Sequence, residues 1–193
     1  MTYRRINTAK KVFNKIKLIK PKKLYFASNA PISNNKSDVK KVIAVRNLLS
    51  QVDWKCKIVK IYHKKHLSVS KSIPKSITTF FEYEDKGIIL EDDCLPSNDF
   101  FYYCEKMLKL YEKKNINAIC GSRFSSPKNG NYYFSKYNHA WGWATWKKSW
   151  NKFDPNISFW PKWKNSNHWK KMNLDINELS YWTKIFEATY KKK

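Results

Sequence analysis

Residues 86–104 read KGIILEDDCLPSNDFFYYC, and this stretch decides the fold. The aliphatic run 88–90 predicts a short buried strand, and three carboxylates follow it directly. After Pro96 the apolar residues recur at helical spacing, which predicts a helix. The acidic residues therefore lie in the connection between a strand and a helix.

Outward from this stretch, short apolar runs alternate with helical stripes along the chain. The predicted strands are residues 24–27, 57–62, 88–90 and 118–120. The predicted helices carry apolar stripes at Val39, Val42, Ile43 and Leu49, at Ile73, Ile77, Phe80 and Phe81, and at Phe101, Cys104, Leu108 and Tyr111. This order predicts an α/β fold with a mostly parallel central sheet, because the strand runs show no alternation with polar residues. Ligands bind such sheets beyond the carboxyl ends of the strands, so the residues after Leu90 are candidates for a site.

The composition limits the class of protein. With 193 residues, of which 42% are hydrophobic and 17% aromatic, the chain is long enough for one domain with a real core. Its four glycines lack the spacing of a phosphate-binding loop or a dinucleotide fingerprint. No stretch reaches the roughly 18–20 apolar residues of a membrane span, and residues 1–20 lack the apolar run of a signal peptide. We therefore expect a cytoplasmic protein, and its cysteines, which form no Cys-x-x-Cys pair, are expected to be reduced and free of structural zinc.

The net charge of +24 raises the question of an anionic partner. Only four of the 39 basic residues are arginine, the side chain that reads base edges, so no specific nucleic-acid partner is expected. Residues 1–21 form a basic N-terminal segment in which Val12, Phe13, Ile16 and Ile19 fall near helical spacing. Such a segment either packs on the domain, the interpretation we favour, or lies peripherally on an anionic membrane.

The acidic triplet Glu91-Asp92-Asp93 predicts a metal site. Three like charges at the end of a strand repel one another unless a cation lies nearby. Mg²⁺ or Mn²⁺ binds one or two carboxylates and completes its coordination with substrate phosphate oxygens, an arrangement that suits nucleotide-sugar transfer. The alternative is a loop that caps the following helix, which explains Asp99 but not a triplet placed before Pro96.

The segment 88–93, followed by residues 96–104, resembles the metal-binding segment of GT-A glycosyltransferases. The nearest pattern is that of bacterial nucleotide-diphospho-sugar transferase or hemolytic-protein-like proteins, and a more distant one is that of the N-acetylglucosaminyltransferases of N-glycan synthesis. The resemblance implies a Rossmann-like GT-A fold and a UDP-sugar as the donor. It also implies that Asp93 is the ligand of Mn²⁺ or Mg²⁺ and that Asp92 and Glu91 face the donor.

A second stretch supports this resemblance. Residues 132–137 lead into 139–146, which is similar to the tyrosine-rich strand and Trp-Gly-Trp loop of the family. The resemblance implies that Trp141, Gly142 and Trp143 wall the pocket for donor sugar and acceptor, since aromatic faces stack on sugar rings. The alternative is an aromatic core cluster. The resemblance extends over roughly residues 24–190.

Two further residues are assigned to the donor by position alone. Asn29 follows the first predicted strand, where the family binds the base and ribose, and Lys71 lies in the loop that contacts phosphate. The first helix also carries Arg46, which either reaches the nucleotide or stabilises the fold.

The resemblance assigns the general base to a Trp-Asp segment beyond the helix at residues 181–186, past Lys193, so the catalytic residue is unknown. We expect a GT-A-like domain at residues 22–193 that lacks the C-terminal part of the family. The expected activity is metal-dependent, inverting transfer of a sugar from a nucleotide-sugar to a glycan or glycoconjugate, in polysaccharide biosynthesis. The alternatives are a catalytically impaired, donor-binding fragment and a basic protein that binds nucleic acid or anionic membrane.

Overall fold

The computed structural model describes residues 1–124, 130–172 and 175–192. They form two compact units, Met1–Asn151 and Lys152–Lys193, and the basic segment 1–21 belongs to the first. The elements of the first unit are α1 (Ile6–Ile19), β1 (Lys23–Ser28), α2 (Lys36–Arg46), a 3-10 turn (Asn47–Gln51), β2 (Lys57–Tyr62), α3 (Val69–Tyr83), β3 (Lys86–Ile89), α4 (Asn98–Leu110), β4 (Ala118–Cys120), β5 (Trp143–Trp146) and α5 (Lys147–Trp150). The second unit contains α6 (Trp160–Trp163), α7 (Asn167–Met172) and α8 (Ile176–Lys191).

The α/β class is confirmed, but the strands are arranged differently from the prediction. β1 and β2 form a parallel pair, while β3, β5 and β4 form a second sheet in which the central β5 runs antiparallel to both neighbours. Among the described residues no ladder joins β1 to β3, so a single mostly parallel sheet is not present. β5, which sequence reasoning placed in a loop, pairs with both β3 and β4 and makes their sheet antiparallel. A cavity lies between β1 and β3, where the predicted sheet would have been continuous.

The tyrosine-rich stretch also differs from its prediction. Residues 132–137 form no strand, and the strand in this part of the chain begins at Trp143. The rings of Tyr132 and Phe134 pack edge-on against each other and against Tyr111, and the Tyr111 and Tyr132 hydroxyls lie 2.7 Å apart. Side-chain packing thus fixes this segment on the end of α4.

The N-terminal basic segment forms a helix that packs on the domain, as favoured from the sequence. Ala9, Val12 and Phe13 of α1 are buried, and Phe13 belongs to a core cluster with Phe26 of β1 and Val45 of α2. These side chains are therefore in the core and not on a surface open to a membrane. In the parts of the chain that the structure describes, every helix is too short or too polar to cross a bilayer.

Helices cover both faces of the antiparallel sheet. Ile89 and Trp143 point to the face where Ile77 and Phe81 of α3 pack. On the other face, buried side chains of α4 pack on those of β4 and β5, and this cluster consists of Phe100, Cys104, Met107, Leu108, Ile119, Ala144 and Trp146. The alternation of successive side chains between faces explains why neighbours such as Trp143 and Ala144 pack in different clusters.

The second unit is organised around tryptophan. Trp160 is fully buried, stacks on Phe186 of α8 with ring centroids 4.9 Å apart, and meets Trp169 edge-on. Its indole N–H donates to Glu187 Oε1 at 3.1 Å, and Lys164 Nζ donates to the same oxygen at 2.7 Å. Aromatic packing with a satisfied indole holds these short helices together.

Candidate functional site

A pocket of about 530 Å³ opens where the loop after β3 meets the residues that directly follow β4 and those that directly precede β5. Its lining brings together Asp93 from the acidic triplet and Trp141 and Gly142 from the aromatic motif. Ser97 and Phe100, at the start of α4, form another part of its wall. Two motifs that lie far apart in sequence thus meet at one site.

Glycines allow the residue after β4 and the residue before β5 to approach each other closely. The Gly121 N–H donates to the Gly142 carbonyl at 2.9 Å. Gly142 has φ +80°, a left-handed conformation that favours glycine. A Cβ on Gly121 would lie 2.5 Å from the ring of Phe100, which is itself buried. The floor of the pocket is therefore a close backbone contact supported by α4.

The acidic triplet is bound by an arginine from the start of the chain. Asp92 is 4% exposed and accepts hydrogen bonds from the Arg5 guanidinium and from the Tyr3 N–H, the latter at 3.3 Å. The same guanidinium lies 2.9 Å from Asp93 Oδ2. Burial, followed by the charge of the neighbouring Asp93, raises the pKa of Glu91. Arg5 thus supplies the positive charge that the sequence prediction assigned to a divalent cation.

The metal prediction can be compared with the side chains present. Within residues 1–124, 130–172 and 175–192, no three His, Cys, Asp or Glu side chains converge as an all-protein metal site requires. Mg²⁺ and Mn²⁺ in nucleotide sites need only one or two carboxylates, because phosphate and water supply the other oxygens. Asp93 is half-exposed and lines the pocket, so it fits as one such ligand. An ion bound there competes with Arg5 for Asp93. The Arg5–Asp93 ion pair is about half exposed, so it contributes about 1 kcal/mol or less to stability.

Asn29 is placed at the carboxyl end of β1, as expected, but its amide is occupied within the fold. Its Nδ2 donates to the Leu67 carbonyl at 2.8 Å, and its Oδ1 accepts from the N–H groups of Ala30 and Leu67 at 3.0 and 3.1 Å. The side chain is buried and joins the loop after β1 to the loop after β2. Its contact with a nucleotide stays a prediction.

Lys71 and Trp143 are not among the residues that line the pocket. Lys71 is exposed in the first turn of α3. Trp143 packs on the α3 side of its sheet, near Trp150, because entry into β5 turns its side chain away from that of Ala144. Their predicted contacts with the donor stay predictions.

Arg46 and Arg5 both make ion-pair or hydrogen-bond contacts within the fold. The sequence left the role of Arg46 open and did not single out Arg5. Arg46 donates to Ser28 Oγ at 3.0 Å and to the Asn29 carbonyl at 3.1 Å, and it lies over the ring of Tyr62. It therefore stabilises the ends of the parallel pair. Arg5 was missed as a site residue, although the scarcity of arginine in a lysine-rich chain was a signal that the sequence offered.

Comparisons of the chain with protein-family models, with curated proteins and with solved structures find no match. The functional interpretation therefore rests on the residues of the pocket themselves.

Proposed function

We propose that the protein is a metal-dependent glycosyltransferase with a GT-A-like domain, which transfers a sugar from a nucleotide-sugar to a glycan or glycoconjugate acceptor in the cytoplasm. The observation that supports this most is that Asp93, Trp141 and Gly142 line one pocket of about 530 Å³. These are the residues that the two sequence motifs assign to the metal and to the donor sugar. A pocket of this volume lies within the usual range for ligand sites.

Each wall of the pocket has a role in this proposal. The Trp141 ring is 64% exposed beside the pocket and offers an apolar face for a sugar ring. Gly142 carries no side chain, so the ligand can approach the backbone closely. A divalent ion held by Asp93 would offset the charge of the departing nucleoside diphosphate.

In this proposal Arg5 also binds the diphosphate of the donor. Its guanidinium bonds Asp92, which is buried, and reaches Asp93 at the edge of the pocket. Guanidinium groups bind phosphate oxygens through two parallel hydrogen bonds. We therefore propose that Arg5 keeps its bond to Asp92 and exchanges Asp93 for the donor phosphate.

Isothermal titration with UDP-sugars in the presence of Mn²⁺ tests donor binding. The native chain should release or absorb heat that depends on Mn²⁺, and Asp93→Asn should weaken binding by at least about tenfold, because losing a ligand costs no less than losing a residue that supports one. Asp53→Asn is the matched control, since Asp53 is an exposed carboxylate paired with Lys17. Absence of heat with the native chain, or equal binding by Asp93→Asn, contradicts the proposal.

Transfer is tested separately from donor binding, because a missing general base slows the reaction by roughly 10²–10⁴ without weakening the donor complex. Transfer from radiolabelled UDP-sugars to glycan acceptors should be measured for the chain alone and with a Trp-Asp segment appended. Transfer that needs the appended segment indicates a donor-binding fragment, and transfer by the chain alone indicates that a base within it suffices.

A further inference from the structure

A cavity of about 300 Å³ lies between β1 and β3, and we call it the strand gap. One side is formed by residues 23–27 of β1 and the other by residues 86–90. Native interiors are close-packed and contain few voids larger than a water molecule. A void of this size between two strands is therefore a place where an element of structure fits.

The edge of β1 that faces the strand gap has unpaired backbone groups. The carbonyls of Lys22 and Ser28 accept from β2 and the residue after it, so the even-numbered residues of β1 face β2. The backbone groups of the odd-numbered residues point the other way, and the Ala27 carbonyl accepts from Thr2 on that side. Tyr25 therefore presents its N–H and C=O to the strand gap, where the described residues offer no partner strand.

β3 presents an open edge to the same cavity. The Asp85 carbonyl accepts from Lys147 beside β5, so the odd-numbered residues of β3 face β5. The even-numbered residues face the strand gap, where the Leu90 carbonyl accepts from the Met1 nitrogen at 2.6 Å. The N–H and C=O of Ile88 consequently point at the strand gap.

Both strands run in the same direction along the strand gap. At one end, Lys23 Nζ of β1 lies 2.8 Å from Oε1 of Glu84, which is two residues before the start of β3. At the other end Met1 and Thr2 lie between the carboxyl ends of the two strands. A segment placed in the gap can therefore be parallel to both.

Met1 and Thr2 already form the last residues of such a segment. Thr2 forms a parallel bridge with Ser28, donates its N–H to Ala27 at 2.8 Å and accepts from the Asn29 N–H at 3.1 Å. The preceding Met1 nitrogen bonds in the opposite direction, to Leu90 of the β3 side. Successive residues that bond to opposite neighbours are typical of the middle strand of a sheet.

The faces of the strand gap are apolar. Phe26 packs with Phe13 of α1 on one face of β1, and Tyr25 meets Phe80 of α3 with ring centroids 4.8 Å apart on the other. Phe13 and Phe80 also line the cavity. A strand in this position would thus be covered by α1 on one side and α3 on the other, which favours apolar residues at every position.

We propose that the strand gap is a binding site for one extended, apolar peptide segment of about five residues, parallel to β1 and β3, whose carboxyl end meets the Met1 nitrogen. A peptide fits because both edges offer backbone donors and acceptors in the strand pattern, which an apolar small molecule cannot satisfy. With the segment bound, the two sheets become one continuous, mostly parallel sheet. Glu91 and Asp92 lie at the end of the strand gap, and Leu90 lines both this cavity and the donor pocket. The strand contacts are made by backbone groups and involve none of Asp93, Trp141 and Gly142, so the inference does not depend on the proposed activity.

Hydrogen exchange on an extended chain tests the site. A segment of five alternating valine and isoleucine residues is placed directly before Met1, and amide exchange is followed by NMR. The amides of Tyr25 and Ile88 should exchange at least about tenfold more slowly than in the unextended chain, because each gains a partner that must open before exchange. The melting temperature of the extended chain should also be higher than that of the unextended chain.

Two matched extensions are the controls. A Gly-Ser extension of equal length lacks the apolar side chains. An extension with proline at its second and fourth positions cannot form a middle strand, because proline lacks the N–H that such a strand donates and is confined to edge strands. Neither should protect Tyr25 or Ile88. Unchanged exchange with the apolar extension, or equal protection by the Gly-Ser extension, overturns the proposal. Concentration-dependent protection of the unextended chain, with a dimer in sedimentation, overturns it too, because the occupant is then a second copy.

Discussion

Asp38 is a buried carboxylate that joins the start of the chain to the loop before α2. Its side chain is 1% exposed and accepts hydrogen bonds from the Tyr3 hydroxyl at 2.6 Å, from Arg4 at 2.8 Å and from the Ile32 N–H at 2.8 Å. Burial alone raises the pKa of Asp38, but these hydrogen bonds outweigh it and lower the pKa to about 2. The ionised form is therefore the one that stabilises the native state.

The lowered pKa gives the direction of a pH effect. The pKa of about 2 in the native state is below the ordinary value of about 3.9, so the stabilising contribution is complete above about pH 4 and is lost as the pH falls through about 2. Asp38→Asn should lower the free energy of unfolding at pH 7 by about 2 kcal/mol, because the charged acceptor of several hydrogen bonds is lost. It should also weaken the dependence of stability on pH between pH 4 and pH 2. Urea denaturation followed by circular dichroism at pH 7 and pH 3 measures both.

Asp53→Asn is the control for this change, since it also removes a carboxylate, but an exposed one paired with Lys17. Its unfolding free energy should stay close to that of the native chain. Equal effects of Asp38→Asn and Asp53→Asn would mean that the buried hydrogen bonds contribute nothing beyond a surface pair.

At the level of single residues, the sequence predicted the acidic triplet and the Trp141–Gly142 pair but not the partner of the triplet. Carboxylates after an aliphatic run and a glycine between tryptophans are local patterns, readable without a fold. The bond from Arg5 to Asp92 joins residues 87 positions apart, and only the packing of the chain start beside β3 brings them together. Asn29 illustrates the converse, because its position was expected but its amide bonds to Leu67 depend on a second loop.

At the level of elements, Gly121 at the end of β4 shows why the loops of the pocket require glycine. A Cβ there would meet the Phe100 ring at 2.5 Å and the Gly142 carbonyl at 3.0 Å. Gly121→Ala should therefore lower the free energy of unfolding by about 1–3 kcal/mol through overpacking. It should also weaken UDP-sugar binding, since Phe100 and Gly142 line the pocket. Thermal denaturation and titration calorimetry measure the two effects.

Gly130→Ala separates steric overlap from backbone strain. Gly130 has φ +84°, and a Cβ there would meet no described atom within 4 Å. This variant should lose only the conformational preference of glycine, about 1 kcal/mol. Donor binding should be preserved. If Gly121→Ala and Gly130→Ala bound the donor equally tightly, the close contact of Gly121 with Phe100 and Gly142 would not be needed for donor binding.

The elements that the sequence predicted are those with a clear periodicity. β2 and β4 begin and end at the predicted residues. The helical stripes correspond to α2, α3 and α4, except that Leu49 lies in the 3-10 turn after α2 and Tyr111 directly follows α4. β5 was missed because its four residues, WATW, carry no recognisable period, and its pairing depends on β3 and β4 from earlier in the chain. Sheet order is set by such long-range pairing, which a local pattern does not contain.

At the level of the whole molecule, the net charge of +24 predicts a strong dependence of stability on salt. Repulsion among 39 basic residues, opposed by 15 acidic ones, destabilises the compact state at low ionic strength. Raising NaCl from about 10 mM to about 150 mM shortens the screening length from roughly 30 Å to roughly 8 Å, so the melting temperature should rise. Differential scanning calorimetry across this range measures it.

Sodium sulfate at equal ionic strength is the control for this salt effect, because a protein with a net charge of +24 attracts anions. Screening predicts the same rise with chloride and with sulfate, whereas a rise seen only with sulfate would indicate binding of a specific anion. A melting temperature that falls with NaCl would mean that attractive ion pairs outweigh the repulsion, contrary to the expectation from the composition.

All nine tryptophans lie in the described part of the chain, and Trp141 is the one whose side chain is largely exposed. A collisional quencher such as iodide or acrylamide will therefore act first on the fluorescence of this indole, while the buried rings continue to emit. A sugar lying against Trp141 would shield it and leave the rest of the emission unchanged. The native protein thus carries its own optical reporter for occupancy, readable in a cuvette without a label.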